Sequence, residues 1–182
     1  LNVMTNFTIS LKAFLKRCVL ASIRINEVCS NVKSPIVVYA ILGVWLAGVI
    51  FTTTQHEFWR DEVRAFSLAR AANSPFDLYR LIRYDGHPVL WYLLLYIGKS
   101  VVDTPLVLPV ISIIIAFTAV AVFMFFSPFA FWFRCLFIFS LPFYEYSVMA
   151  RNYGISMLLL FVSAALYRNR SKYPLSLAFV LA

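Results

Sequence analysis

Charged residues are scarce in this 182-residue chain: only 13% of the sequence is Asp, Glu, Lys or Arg, whereas 62% is hydrophobic. An ordinary soluble domain has about 25% charged and about 45–50% apolar residues. The core of a soluble domain of this size has no room for so much apolar surface, and too few charged residues are present to cover it. This composition therefore excludes an ordinary soluble domain. Several windows instead reach the roughly 20 apolar residues that a helix needs to cross a bilayer.

Glycine, cysteine and histidine are also few, and their placement excludes several kinds of site. The five glycines form no glycine-rich phosphate loop. The three cysteines, Cys18, Cys29 and Cys135, have no motif spacing, so we predict neither a disulfide framework nor a zinc site. The two histidines complete no metal-binding His/Cys set and no Ser-His-Asp arrangement. We therefore predict no metal and no cofactor.

The net charge of +8 is distributed as membrane topology requires, which argues against nucleic acid as a partner. Basic residues gather at 12–33 and 168–172, beside hydrophobic segments, and cytoplasmic loops are the ones that carry excess Lys and Arg. We interpret residues 1–35 as a cytoplasmic basic segment, with an interfacial helix at 7–29. Residues 36–182 are interpreted as a transmembrane domain.

The hydrophobic segments predict an all-α fold, a polytopic transmembrane helical bundle. Residues 88–102 are apolar but short and contain Lys99, so we predict an interfacial or re-entrant helix there. If this segment spanned the membrane, the basic stretch 168–172 would face outward, against the positive-inside rule. Residues 55–105 then form an outer loop of short interfacial helices. The predicted spans are 36–54, 106–126, 129–148, 155–167 and a last one that begins at 174–182.

The outer loop concentrates the ionisable residues. Asp61 and Glu62 are adjacent acids among arginines and aromatic residues, and neighbouring charges of this kind tune the pKa of a general base. The alternative is that both acids begin a helix, where they favour the macrodipole and pair with arginines three residues further on.

Two further clusters of ionisable residues, at 85–88 and at 145–151, each allow a structural and a functional interpretation. The Asp-Gly-His-Pro stretch 85–88 is either a tight turn or the segment that presents His87 as a cation for a phosphate. Glu145 and Arg151, near the outer end of the third predicted span, either pair structurally or act functionally, as ionisable residues at membrane depth often do.

The order of these motifs carries a resemblance to a known family. One span is followed by Asp-Glu-x-Arg at 61–64, then by a His-Pro step into an aromatic helix at 87–92 and by Ala-Arg-x-Tyr at 150–153. This order resembles the GT-C fold glycosyltransferases of the protein mannosyltransferase type, whose relatives include bacterial aminoarabinose transferases. The resemblance covers about residues 36–172.

The resemblance implies a GT-C-like bundle that transfers a sugar, with inversion, from a polyprenyl-phosphate donor. The acceptor would be a protein, lipid or glycan on the outer face. It implies Asp61 as the catalytic base with Glu62 beside it, and Arg64, His87 and Arg151 as cations that bind the departing lipid phosphate. Members of the family usually have more spans, so it also implies that this chain is the N-terminal portion of such an enzyme.

Two other functions stay open. The first is a transporter or channel fragment in which Asp61, Glu145 and Arg151 line a pathway, and the second is a structural subunit whose loop binds partners. A transporter places its ionisable groups mid-span or beside broken helices, whereas here, apart from Arg134, they lie at the outer ends of the predicted spans. This favours the enzyme. We expect a multi-pass protein of the bacterial inner membrane rather than of the endoplasmic reticulum, because we find no organelle-targeting feature.

The predicted topology places Asn73 outside the cell and Lys172 inside. In a variant without the three native cysteines, Asn73→Cys should react with a membrane-impermeant maleimide in intact cells. Lys172→Cys should react only after the membrane is permeabilised, because the basic stretch around it faces the cytoplasm. Labelling of both positions in intact cells would contradict this topology.

Overall fold

A computed structural model describes residues 34–86, 88–167 and 170–181, and over these ranges it is all-helical. This confirms the all-α prediction for the described residues. The predicted helix at 7–29 and the predicted phosphate ligand His87 lie outside them. The helices are α1 (Pro35–Thr54), α2 (Arg60–Ala71), α3 (Pro75–Ile82), α4 (Val89–Val101), α5 (Val107–Phe126), α6 (Phe131–Ile138), α7 (Leu141–Tyr144), α8 (Tyr153–Tyr167) and α9 (Pro174–Leu181).

The first two predicted spans form the two longest described helices, α1 and α5, of 20 residues each. Both are long and apolar enough to cross a bilayer, whose core is about 30 Å thick. The buried residues of α1 repeat at three- and four-residue intervals along one stripe: Val38, Leu42, Trp45 and Val49. The other residues of α1 are exposed or partly buried, and their exposed apolar side chains are typical of a helix that contacts lipid.

Helices α1 and α5 run antiparallel and form a first core with α6 and α8. The ring of Tyr39, near the start of α1, lies 5.6 Å from that of Phe125 near the end of α5. Halfway along, Trp45 faces Phe117 at 6.4 Å. The end of α1 and the start of α5 therefore lie at the same end of the bundle, which we call the cap end.

The segment 129–148, predicted as one span with Pro142 inside it, is divided in the structure into the short helices α6 and α7. Pro142 lies in the first turn of α7 and has no N–H to extend a helix from α6, so the chain leaves helical geometry at residues 139–140. Pro142 leaves the carbonyl oxygen of Ile138 without a helical N–H donor, and this oxygen accepts from the Trp45 indole at 2.8 Å. Beyond α7, the Ser147 carbonyl oxygen accepts from the Ser112 hydroxyl at 2.8 Å. The segment still leads from the end of α5 to the cap end.

Three short helices, α2, α3 and α4, pack at the cap end and form a second core with the first turn of α5 and the start of α8. Helix α4 has 13 residues and is about 20 Å long, too short to cross a bilayer upright. Its Lys99 donates to the carbonyl oxygens of Arg70 and Ala72 at the end of α2, at 2.9 and 2.5 Å. The charge in this apolar segment therefore caps a neighbouring helix.

Helices α4 and α5 approach closely at Gly98. A Cβ atom at this position would lie 2.5 Å from Val107 Cγ1, whereas a Cβ at Gly43, on the exposed face of α1, would meet nothing within 4 Å. We expect Gly98→Ala to lower the free energy of unfolding by about 1–3 kcal/mol relative to Gly43→Ala, because only the former overpacks a contact.

Both substitutions remove a helical glycine, so their effects on backbone entropy are similar and the difference reports the contact. Thermal unfolding in detergent micelles measures it. Equal midpoints for the two variants would contradict the close approach of α4 and α5.

Candidate functional site

A polar cavity of about 170 Å³ opens at the cap end, between α2, α4 and the turn that precedes α8. The turn reaches the cavity because the broken segment after α5 returns the chain to this end of the bundle. The cavity is lined by Asp61, Arg64, Ala65, Asp85, Trp91, Tyr92, Ala150, Arg151 and Asn152.

Asp61 and Arg151 form an ion pair at the cavity, although they lie 90 residues apart along the chain. Arg151 Nη2 donates to Asp61 Oδ2 at 2.8 Å. The side chain of Asp61 is 59% exposed and that of Arg151 is 20% exposed. The guanidinium of Arg151 lies 5.5 Å from the ring centre of Trp59 and 6.0 Å from that of Tyr153, so cation–π contacts hold it in place.

A second pair in the cavity joins Arg64 and Asp85, with Arg64 Nη2 2.7 Å from Asp85 Oδ1. The side chain of Asp85 is nearly buried, at 6% exposed, and the Tyr92 hydroxyl donates to its other oxygen. Burial, together with the hydrogen bond to Asp85, raises the pKa of Tyr92 above its usual value. Tyr92 therefore stays a protonated donor near neutral pH, and its bond fixes the orientation of Asp85.

Glu62 lies at the centre of a buried hydrogen-bond network behind the cavity. The residue is 1% exposed. Its Oε2 accepts from the Trp59 backbone N–H at 2.6 Å and lies 3.1 Å from His56 Nε2. Its Oε1 accepts from the backbone N–H of Ala150. One carboxylate thus bonds the segment after α1, the start of α2 and the turn before α8.

The structure places the two predicted catalytic acids in different environments. Asp61 faces the cavity, whereas Glu62 does not line it and its oxygens are occupied by the network. Glu62 is the third residue of α2 and bonds the N–H of Trp59, so the helix-start interpretation holds for it. The alternative pairing of Asp61 with the arginine three residues on is wrong: Asp61 bonds Arg151 instead.

The other predicted site residues divide as follows. Arg64 and Arg151 join Asp61 in the cavity, while Glu145, predicted for a transport pathway, does not line it. The catalytic and phosphate-binding roles of the cavity residues stay predictions. Over the parts of the chain that the structure describes, no group of three His, Cys, Asp or Glu residues is arranged to hold a metal.

Sequence reasoning missed His56, Tyr92 and the pairing role of Asp85. The only local signal for Asp85 is that it precedes an aromatic helix, which predicts a turn as readily as an ion pair. His56 has no local signal, because its contact with Glu62 depends on how the chain leaves α1. Its other ring nitrogen lies 3.3 Å from the Tyr144 hydroxyl, a residue 88 positions away.

No protein-family model, curated protein or solved structure matches the chain. What the described residues define is an all-helical chain with two helices able to cross a membrane and a polar cavity at one end of them.

Glu62→Gln should lower the free energy of unfolding by about 2–4 kcal/mol, because the neutral amide has one acceptor oxygen and turns an N–H donor towards a backbone N–H. Glu57→Gln is the matched control: Glu57 is exposed and lies in the same segment, so its substitution should change stability by less than about 0.5 kcal/mol. Denaturant titration in detergent micelles measures both. Equal stability of the two variants would show that the network does not hold the cavity together.

Proposed function

We propose that the chain is part of a membrane glycosyltransferase that takes its sugar from a polyprenyl-phosphate donor, with Asp61 as the general base. The observation that supports this most is the cavity itself. It brings Asp61 and Arg64 together with Arg151, from a segment 90 residues beyond Asp61. These are the residues that the resemblance to GT-C enzymes implies, and no pattern within either segment alone requires them to meet.

The charges of the cavity suit sugar transfer from a lipid phosphate. A carboxylate that is partly exposed accepts the proton of an acceptor hydroxyl or amine as that group attacks the anomeric carbon. The bond from that carbon to the phosphate oxygen breaks, and the electron pair leaves with the phosphate. Arginine guanidinium groups stabilise the charge that develops on phosphate oxygens, because they offer paired N–H donors. Arg64 and Arg151 would take this role.

The position of the cavity also suits a substrate that is anchored in lipid. It lies at the end of α1 and α5, which among the described helices are the two able to cross a membrane. On the neighbouring helix α3 and just beyond it, Phe76, Tyr79 and Tyr84 are 66%, 54% and 87% exposed. Tyrosine and tryptophan side chains concentrate at membrane–water interfaces, and two of these three residues are tyrosines. The cap helices would therefore lie on the outer leaflet, where a lipid-borne sugar can reach Asp61.

This proposal includes the finer features of the protein. The bundle would be polytopic and GT-C-like, and it would sit in the bacterial inner membrane with the cap end outward. Its partners would be the bilayer, the polyprenyl-phosphate-linked sugar and an acceptor protein, lipid or glycan.

The break between α6 and α7 is the observation that favours the transporter alternative, because transporters bind ions at the unwound parts of broken helices. Several carbonyl groups around this break are already bonded: Ile138 O by Trp45, Phe137 O by Ser140 and Pro142 O by Ser147. Carbonyl groups engaged in this way are poor ion ligands. The two ion pairs that line the cavity, Asp61–Arg151 and Arg64–Asp85, lie at the cap end and not at this break, which favours the transferase.

Asp61→Asn should reduce sugar transfer by about 10²- to 10⁴-fold, because it removes the base and keeps the shape of the side chain. The measurement is transfer from a radiolabelled polyprenyl-phosphate sugar in membranes that contain equal amounts of each variant. Asp103→Asn removes an exposed carboxylate that pairs with Arg70 at 3.0 Å outside the cavity. This control should keep activity within about twofold. Full activity of Asp61→Asn would remove Asp61 as the base.

A further inference from the structure

The two ion pairs of the cavity differ in how firmly the acid is held. Asp85 is 6% exposed and bonds both Arg64 and Tyr92, so it has fixed partners on two sides. Asp61 is 59% exposed, and its bond to Arg151 is the contact that ties it to the far side of the cavity. An exposed Asp–Arg pair contributes little free energy, so this bond exchanges easily.

Arg151, in contrast, is held in place by more than its acid. Its guanidinium lies over the rings of Trp59 and Tyr153, and these contacts persist if Asp61 moves away. Its Nε atom is buried and has no hydrogen-bond partner among the described residues. A guanidinium has five N–H donors, and a buried donor without a partner is unfavourable. The bond to Asp61 uses one nitrogen of the guanidinium, Nη2, so a ligand with several acceptor oxygens can engage more of this group than Asp61 does.

We propose that Asp61 occupies the position on Arg151 that a phosphate group takes, so that phosphate and Asp61 compete for the same guanidinium. A phosphate monoester offers three terminal oxygens and up to two negative charges, and a phosphodiester such as a sugar-loaded donor offers two terminal oxygens and one charge. Arginine binds either of them through two parallel hydrogen bonds. Binding of phosphate then separates Asp61 from Arg151. The exchange needs only the phosphate, the two side chains and the rings that hold Arg151.

For the source of the phosphate this inference rests on the proposed function, in which it belongs to the polyprenyl-phosphate donor. The exchange then sets the order of events: the carboxylate of Asp61 is engaged until the donor binds, and it becomes available to the acceptor afterwards. An acceptor that arrives first meets a base that is still paired.

Binding measurements test the exchange without any sugar transfer. The protein is placed in nanodiscs of zwitterionic lipid, and its affinity for farnesyl phosphate, for inorganic phosphate and for farnesol is measured by calorimetry. Asp61→Asn should bind farnesyl phosphate about tenfold more tightly than the unchanged protein, because the competitor and its negative charge are gone. Its affinity for farnesol, which has no phosphate, should not change.

The controls separate the exchange from a general effect of charge or folding. Asp103→Asn removes the same charge from an exposed Asp–Arg pair outside the cavity and should leave the affinity within about twofold. Arg151→Gln should weaken phosphate binding about tenfold or more. Arg151→Lys keeps the charge and loses the paired donors, so its affinity for phosphate should lie between those of the unchanged protein and Arg151→Gln. Tighter binding of farnesyl phosphate than of inorganic phosphate assigns the site to a lipid phosphate, and equal binding assigns it to a soluble one.

The proposal is overturned if Asp61→Asn binds farnesyl phosphate no more tightly than the unchanged protein, or if neither binds phosphate. It is also overturned if the affinity of Asp61→Asn for farnesol rises by the same factor as its affinity for farnesyl phosphate, because the gain is then not electrostatic. The two failures are distinguishable. If Asp61→Asn binds phosphate more tightly but the unchanged protein transfers no sugar, the exchange stands and the proposed function does not.

Discussion

The arrangement of the cap end depends on one buried carboxylate. Glu62 bonds the backbone of Trp59 and of Ala150 and contacts the ring of His56, and Ala150 lies 88 residues beyond Glu62. Removing a carboxylate from water costs several kcal/mol, which only well-formed hydrogen bonds offset. The turn before α8 therefore has one position in which the charge of Glu62 is satisfied. That position defines the cavity.

The placement of Asp61 and Arg151 follows from this contact. Asp61 precedes Glu62 in the first turn of α2, and successive residues of a helix point about 100° apart. When Glu62 points into the core, Asp61 points to the side, into the cavity. Arg151 follows Ala150, whose N–H Glu62 accepts, so its side chain is brought to the same place. A buried structural acid thus positions an exposed acid and its partner.

The parts of the fold that depend on local composition were predictable. The long apolar runs predicted the helices now seen as α1 and α5, and the short apolar run 88–102 predicted the short helix now seen as α4. The segment 129–148 was predicted as one span with Pro142 inside it, and the structure divides it into α6 and α7. Apolarity alone does not show that the helix breaks before Pro142 and that Trp45 bonds the carbonyl oxygen of Ile138.

The candidate site was predictable in its members and not in its pairing. Asp61, Arg64 and Arg151 are recognisable from ordered motifs, but the acid that faces the cavity is decided by contacts between distant segments. Asp61 and Glu62 are adjacent and chemically alike, so the sequence alone does not indicate which of the two faces the cavity. The backbone N–H of Ala150, which the sequence does not mark, separates their roles.

Hydrogen exchange at the Ala150 amide tests the central contact most directly. Ala150 lies between helices, where amide protons usually exchange fast. If Glu62 accepts this N–H inside the core, the amide of Ala150 will exchange as slowly as those in the middle of α5. Exchange at the rate of an exposed turn would show that the carboxylate does not hold this segment and that the cavity is not fixed as described.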